Sequence, residues 1–456
     1  MVKILKQSIS NEDYKAKLKA ANKDTDKEIL SQFAKDANWQ VRAAVAENQN
    51  ADKEILNQLA KDKDWYVRMK VVKNKNADKE ILSQLVNDED YEVKVAVVNN
   101  KNADEEILSL LANDKDWHIR LEVAKNKNTS KAILCQLAKD HDPDVRVTVA
   151  GNTNADREVL NYLAIDKHEL VRAAVAKNES TDKEILNLLA KDENWIVRSK
   201  VAMNKNTDQK VLKQLANDEH WEVRKAVATN ENTDKEILKL LAKDVKWKVR
   251  LAVVENVNID KEILKDFVTD VDQNIREAVA RNGNSDEEIL SILAKDEIWN
   301  VRVAVAMNLN ASKEILQYLA KDDNWRVRVI VAGHKNVSKE ILCQLAKDHD
   351  PDVREAVARN KNVDKKILER LVKDDLIHVQ RAAINNKNLN SVILEQFINN
   401  KDKYIQTIAA KKANIEILEL FVNKGYKVKK EIIKNKNMNK EMLELLKISI
   451  GEGKDV

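Results

Sequence analysis

An all-α solenoid is the fold this sequence predicts. Three observations carry the prediction: arginines on a strict 26-residue grid, apolar residues at helical spacing within each grid cell, and only six glycines and two prolines in 456 residues. The grid runs through Arg42, Arg68, Arg120, Arg146, Arg172, Arg198, Arg224, Arg250, Arg276, Arg302, Arg328 and Arg354, with Lys94 filling the one early gap. Its best copies read LAKDxxWxVRxxVAxNxNxDKEIL. A period of this length means stacked units that touch mainly their neighbours. The expectation is about 15–17 two-helix repeats in one elongated array over residues 1–456.

Taken in chain order, residues 1–21 read as a degenerate N-terminal cap and residues 22–410 as regular repeats. In the unit 51–76, Ile55, Leu56, Leu59 and Ala60 share one helical face. The start signals Thr181-Asp-Lys-Glu184, Thr233-Asp-Lys-Glu236 and Ser285-Asp-Glu-Glu288 read as capping boxes led by the hydroxyl residue. This first helix, A, is expected to run about three turns. A break at Lys63-Asp64 leads to a second helix, B, from Trp65 to Lys73, at about two turns. Helices this short are marginal alone, so stacking must hold them.

Unrolled at about 100° per residue, helix B of the first clear copy buries Val41, Val45, Ala46 and Trp39, with Arg42 mid-arc. Gln40, Ala43, Ala44 and Glu47 face away. A buried arginine needs an acid partner. The equally persistent acid is Asp36 and its equivalents Asp62 and Asp192, which predicts an Asp–Arg ladder through Arg42, Arg68 and Arg198. That ladder would tie the A–B turn to its own or the next helix B. It weakens where Gln380 and Gln406 replace arginine and Asn400 replaces aspartate. Asn48, Asn74 and Asn204 close successive helices B, where a left-handed C-cap suits asparagine, and stack as a second ladder. Eight tryptophans occupy one column, from Trp39 to Trp325, and are expected to pack between units.

The segment Leu59-Ala60-Lys61-Asp62, followed by Val67-Arg68, Val71-Val72 and Asn74, with Glu54 before Ile55-Leu56, resembles the bacterial leucine-rich repeat variant and equally a shortened HEAT repeat. The likeness covers roughly residues 22–400. It implies a right-handed superhelix, in which the variant form alternates an α-helix with a 3₁₀ or short helix. The units here are slightly longer than the variant's, and its Asn-Pro and Thr-Pro steps are absent. A longer, HEAT-like second helix is therefore expected. The iron–sulfur segment of one variant-family member has no counterpart.

The grid slips after Ile405, and residues 411–456 read as an irregular, lysine-rich C-terminal cap. Residues 376–456 hold 15 Lys+Arg against 9 Asp+Glu, so the rest of the +4 chain is slightly acidic. That balance argues against a protein built mainly to bind nucleic acid. No run is long enough to cross a bilayer, and MVKILKQSISNEDY lacks a signal peptide's apolar stretch, so a cytoplasmic monomer is expected. Cys135 and Cys343 lie eight units apart in the same repeat position, which disfavours a disulfide or a metal site. They belong to Lys131–Ala150 and Lys339–Ala358, which match at 17 of 20 positions and suggest a block duplication.

No constellation carries chemistry: the seven histidines are scattered and no Gly-rich phosphate loop occurs. We expect no enzyme, cofactor or metal. The leading expectation is a protein- or peptide-binding scaffold that reads partners with the variable face of helix B. Three columns supply its candidates: Tyr66, His118, Ile196, Lys248 and Arg326 near the helix start; Met69, Leu121, Leu251, Val303 and Val329 in the middle; and Lys73, Lys125, Met203 and Met307 at the end. The rival is nucleic-acid backbone binding through the B–A loops. Its ridge is Lys73/Lys75, Lys125/Lys127, Lys205, Arg359/Lys361 and Lys387, joined by Lys427, Lys429 and Lys430. Retention on heparin at low salt would separate the two.

Overall fold

The computed structural model describes residues 14–21, 25–397 and 400–412. Most of both expected caps, including Lys427, Lys429 and Lys430, lies outside the described residues. Among the described residues every regular element is a helix. The chain forms two compact units, Met1–Ile237 and Leu238–Val456, each an α-solenoid of the same two-helix repeat. The fold is all-α.

One repeat shows how the sequence dictates the rest. Helix A is Lys53–Leu59, seven residues, and helix B is Trp65–Lys73, nine residues. The expected lengths are therefore reversed. Helix A stops early because its last turn tightens: the N–H groups of Lys61 and Asp62 donate three residues back, to the carbonyls of Gln58 and Leu59. That tightening sets Asp62 where the preceding repeat can reach it. Helix B is α-helical throughout its length in this repeat. The one 3₁₀ segment among the described residues is Ser391–Phe397, after the last regular pair.

The capping residue also differs from expectation. Asp182, not Thr181, caps its helix, accepting the Ile185 N–H at 2.9 Å. Thr181 is fully buried and its hydroxyl donates to the Val175 carbonyl at 2.6 Å. Thr129, Thr207, Thr233 and Ser285 repeat that inward bond, while Ala51 and Ala77 fill the same place with a methyl group. The position belongs to the core, so its hydroxyl satisfies the end of helix B instead of starting helix A.

Ile55, Leu56 and Leu59 of helix A close over Val67, Val71 and Val72 of helix B, all buried. Each such side chain contributes about 1.5–3 kcal/mol on burial, which two isolated short helices could not collect. Helices B also pack on the helices B of adjacent repeats. This side-by-side contact corrects the expectation that Ala43, Ala44 and Met69 face away. All three are buried.

Candidate functional site

The scaffold must be separated from the surface it presents. Arg42 spans two repeats: its Nη1 donates to the Asp36 carbonyl at 2.8 Å in its own A–B turn, and its Nη2 to Asp62 Oδ1 at 2.8 Å in the next. Its Nε completes a two-point clamp on the same carboxylate at 2.5 Å. Asp62 Oδ1 also accepts the Asp64 N–H, fixing the turn. The clamp recurs in unit 1 at Arg68–Asp88, Arg120–Asp140, Arg146–Asp166, Arg172–Asp192 and Arg198–Asp218, with Lys94–Asp114 in the gap. Unit 2 has it at Arg250–Asp270, Arg276–Asp296, Arg302–Asp322, Arg328–Asp348 and Arg354–Asp374. Within each unit the ladder runs from one helix B to the following repeat. At Gln380 the side chain keeps only the carbonyl bond, to Asp374.

Burial pushes the Asp62 carboxyl up, but the Arg42 and Asp64 hydrogen bonds outweigh it, so the group lies below its ordinary value. Hydrogen bonding to Asp62 holds Arg42 above its own. These guanidinium groups are committed to the joints.

The asparagine ladder is equally structural, though not through left-handed caps. Asn74 sits at φ −70, ψ 136, and no non-glycine residue has positive φ among those described. Its Nδ2 reaches back to the carbonyls of Ala46 at 2.7 Å and Asn48 at 2.9 Å, while its Oδ1 accepts the Asn76 N–H. Asn204 does the same to Ala176 and Asn178, and Asn48 reaches Ala21. Each asparagine therefore closes the open end of the previous helix B. Lys412 stands 26 residues after Asn386 and donates to the carbonyls of Ile384, Asn385 and Asn386. A third, exposed network joins helix A starts, as where Lys53 meets Asp78 and Glu80.

With the scaffold assigned, the variable columns divide. Met69 is buried and unable to meet a partner. Tyr66, Leu121, Ile196, Leu251, Val303 and Val329 are half-buried; Lys73, His118, Lys125, Met203, Lys248, Met307 and Arg326 are exposed. Tyr66, His118, Lys248 and Arg326 attend the aromatic column, whose rings are themselves about 40 % exposed at Trp39, Trp65 and Trp247. Tyr66 meets Trp39 edge-on at 5.4 Å, and Arg326 lies 5.3 Å from the Trp299 ring and 4.7 Å from Trp325. Lys248 lies 5.8 Å from the Trp247 ring, and His118 stacks on Trp117 at 3.7 Å. Lys73 lines a cleft of about 440 Å³ with Lys75, Lys101, Val95 and Glu92.

Only Met307 and Val329 of these candidates meet in a larger cleft, of about 700 Å³ in unit 2. Among its lining residues is Gly333, the last residue of helix B Trp325–Gly333, where a Cβ would have open space around it. The flanking repeats carry Met307 and Arg359 in that column, so the missing side chain leaves a gap between them. Ile330, Val329, Ala306 and Ala356 form the apolar lining, Leu309 adds to it, and Lys335, Arg359 and Lys361 stand among the lining residues. Met307 is 48 % and Leu309 57 % exposed, and the two stand together at the mouth of the cleft.

The missed residues of this site had a signal, namely departures from the chain's own columns. Ile330 is a bulky aliphatic where the other copies have Ala, Thr, Lys, Glu or the like. His334 replaces the ladder asparagine found at every other copy from Asn48 to Asn386. It keeps two of the ladder bonds: one ring nitrogen lies 3.2 Å from the Asn308 carbonyl and the other accepts the Asn336 N–H. Burial lowers its pKa; the Asn308 carbonyl opposes that and Lys335 adds to it.

Two further clusters have less to offer. Asp352, Glu355 and His378 place one possible metal-ligand atom each within 4.8 Å of one another. Glu355 already accepts two N–H groups of Arg359, at 2.9 and 2.5 Å. Cys135 is half-buried and Cys343 exposed, both as free thiols. No helix among the described residues is long and apolar enough to cross a membrane.

No family model matches the chain, and no curated protein matches it. Among solved structures, a leucine-rich repeat variant with a novel repetitive structural motif is 28 % identical, covering 48 % of this chain and 87 % of its own, at a TM-score of 0.39. Kap121p is 13 % identical over 91 % of this chain at a TM-score of 0.38. Kap95p is 12 % identical over 97 % at 0.31. The chain spans 55 % of the Kap121p chain and 66 % of the Kap95p chain. With its fold drawn from the geometry above, the chain is an α-solenoid, similar to the leucine-rich repeat variant and to Kap121p.

Proposed function

We propose that this protein is a peptide-binding scaffold whose recognition site is the cleft at Gly333. One observation carries the reading: at Gly333, unlike at Gly151 in the same column, the missing helix-ending side chain lies beside exposed Met307 and Leu309 and the bulky Ile330. Cavities of this size and lining suit one or two bulky side chains of a partner. The joints on either side are fixed by Arg302–Asp322 and Arg328–Asp348, so the cleft is held open by rigid repeats.

The test is selection of random dodecapeptides on the immobilised full chain, followed by binding measurements on Gly333→Trp. The added ring should fill the cleft and abolish binding of the enriched sequences, with the melting curve unchanged. Enriched peptides that bind Gly333→Trp as well as the parent chain would overturn this reading.

A further inference from the structure

The chemistry of the cleft's surroundings narrows the partner, and this step rests on the peptide-binding reading above. Lys335 and Lys361 occupy the same loop column in successive repeats, and Lys387 continues it one repeat further on. All three are exposed. No Asp or Glu lines the cleft, whereas Lys335 and Lys361 do, together with Arg359, whose guanidinium is paired to Glu355. In the same loop column Lys205 is neutralised by Glu179 at 2.5 Å, whereas Lys75, Lys101 and Lys127 form an earlier row of three. Preceding the row is Leu309, and the apolar opening lies beside its first two members.

We infer that the cleft at Gly333 takes an acidic peptide, with one large apolar side chain seated over Ile330 and carboxylates along the Lys335, Lys361 and Lys387 row. Two physical features fit this occupant together. The apolar lining gives the anchor a dry seat, whereas a phosphate backbone would leave Met307, Val329 and Ile330 without a partner. Neighbouring helices stack at roughly 8–10 Å, and about three residues of extended chain cover that distance. Acidic residues about three apart, following the apolar one, would match the lysine row rung for rung.

The composition of the selected dodecapeptides and a charge-reversed chain test this. Selection should enrich a bulky apolar residue flanked by Asp or Glu. Affinity for such a peptide should fall about tenfold or more in Lys335→Glu/Lys361→Glu, and fall with added salt. Exposed loop lysines leave the fold intact, which thermal melting of the same variant checks. Enriched peptides that are neutral or basic, or an acidic peptide indifferent to the charge reversal, would overturn the inference. If Gly333→Trp still abolishes such binding, the cleft stands as a peptide site and only the acidic partner is lost. A fluorescein-labelled oligonucleotide retained through the same lysines, with acidic peptides rejected, would also overturn it.

Discussion

Arg198 holds Asp218 of the following repeat by both carboxylate oxygens, at 2.6 and 2.9 Å, while its remaining nitrogen donates to the Asp192 carbonyl at 2.8 Å. One side chain thus ties a turn to its own helix and to the next brick. Replacing it with methionine leaves Asp218 charged, with its side chain only 7 % exposed, and without its clamp. Arg198→Met should cost roughly 3–5 kcal/mol, whereas Lys183→Met on the exposed face of helix A should stay within about 0.5 kcal/mol. Denaturant melts decide this, and equal midpoints would refute the ladder's role. The double variant Arg198→Met/Asp218→Leu should recover much of the loss, because the stranded carboxylate is then gone.

The asparagine ladder makes a different prediction. Asn204→Ala strips donors from the Ala176 and Asn178 carbonyls and removes the acceptor of the Asn206 N–H. Each buried group left unsatisfied costs about 1–3 kcal/mol. Hydrogen exchange should quicken in the two repeats that share the joint and leave distant repeats unchanged, as nearest-neighbour energetics require.

Acid should unlock the array. Asp62, Asp140 and Asp348 lie below their ordinary pKa values: burial raises each, and an arginine partner with a backbone N–H lowers it by more. A depressed carboxyl contributes stability above its unfolded value, near 3.9, and that contribution is lost as pH falls through the folded one. The clamps' share of the denaturant midpoint should therefore hold from neutrality to about pH 5, and the midpoint should fall steeply below about pH 4. A flat profile down to pH 2 would contradict the clamp.

His334 adds a milder dependence at higher pH. Its folded pKa is lowered, so the unfolded chain binds the proton more readily as pH falls through about 6.5. Stability should decline as acid is added from there downward. His334→Asn restores the ladder residue used elsewhere and does not titrate. The variant should match the parent at pH 8 and exceed it at pH 5, read by thermal melting.

Much of the scaffold was legible because its side chains recur: Arg42 and Asp62 announced each other through persistence and the cost of a buried charge. The details that failed were those where two geometries satisfy one sequence pattern. Thr181 and Asp182 both can cap a helix, and only the depth of the position shows that the hydroxyl turns inward to Val175. Asn74 can close a helix in a left-handed turn or in extended backbone, and the reach back to Ala46 selects the second. Met69 looked exposed on a single unrolled helix, a view that omits the helices B packed on either side. The cleft escaped notice because part of its opening is an absent side chain at Gly333, which no search for functional groups will find.

That absence has an evolutionary corollary. Because the side chains of the helix-ending column stand outside the Arg–Asp and asparagine ladders, its occupants can be exchanged without disturbing the lattice of rungs beneath. A docking niche can then be carved by deleting one side chain, or sealed by restoring it. Innovation in such an array is cheap, local and reversible.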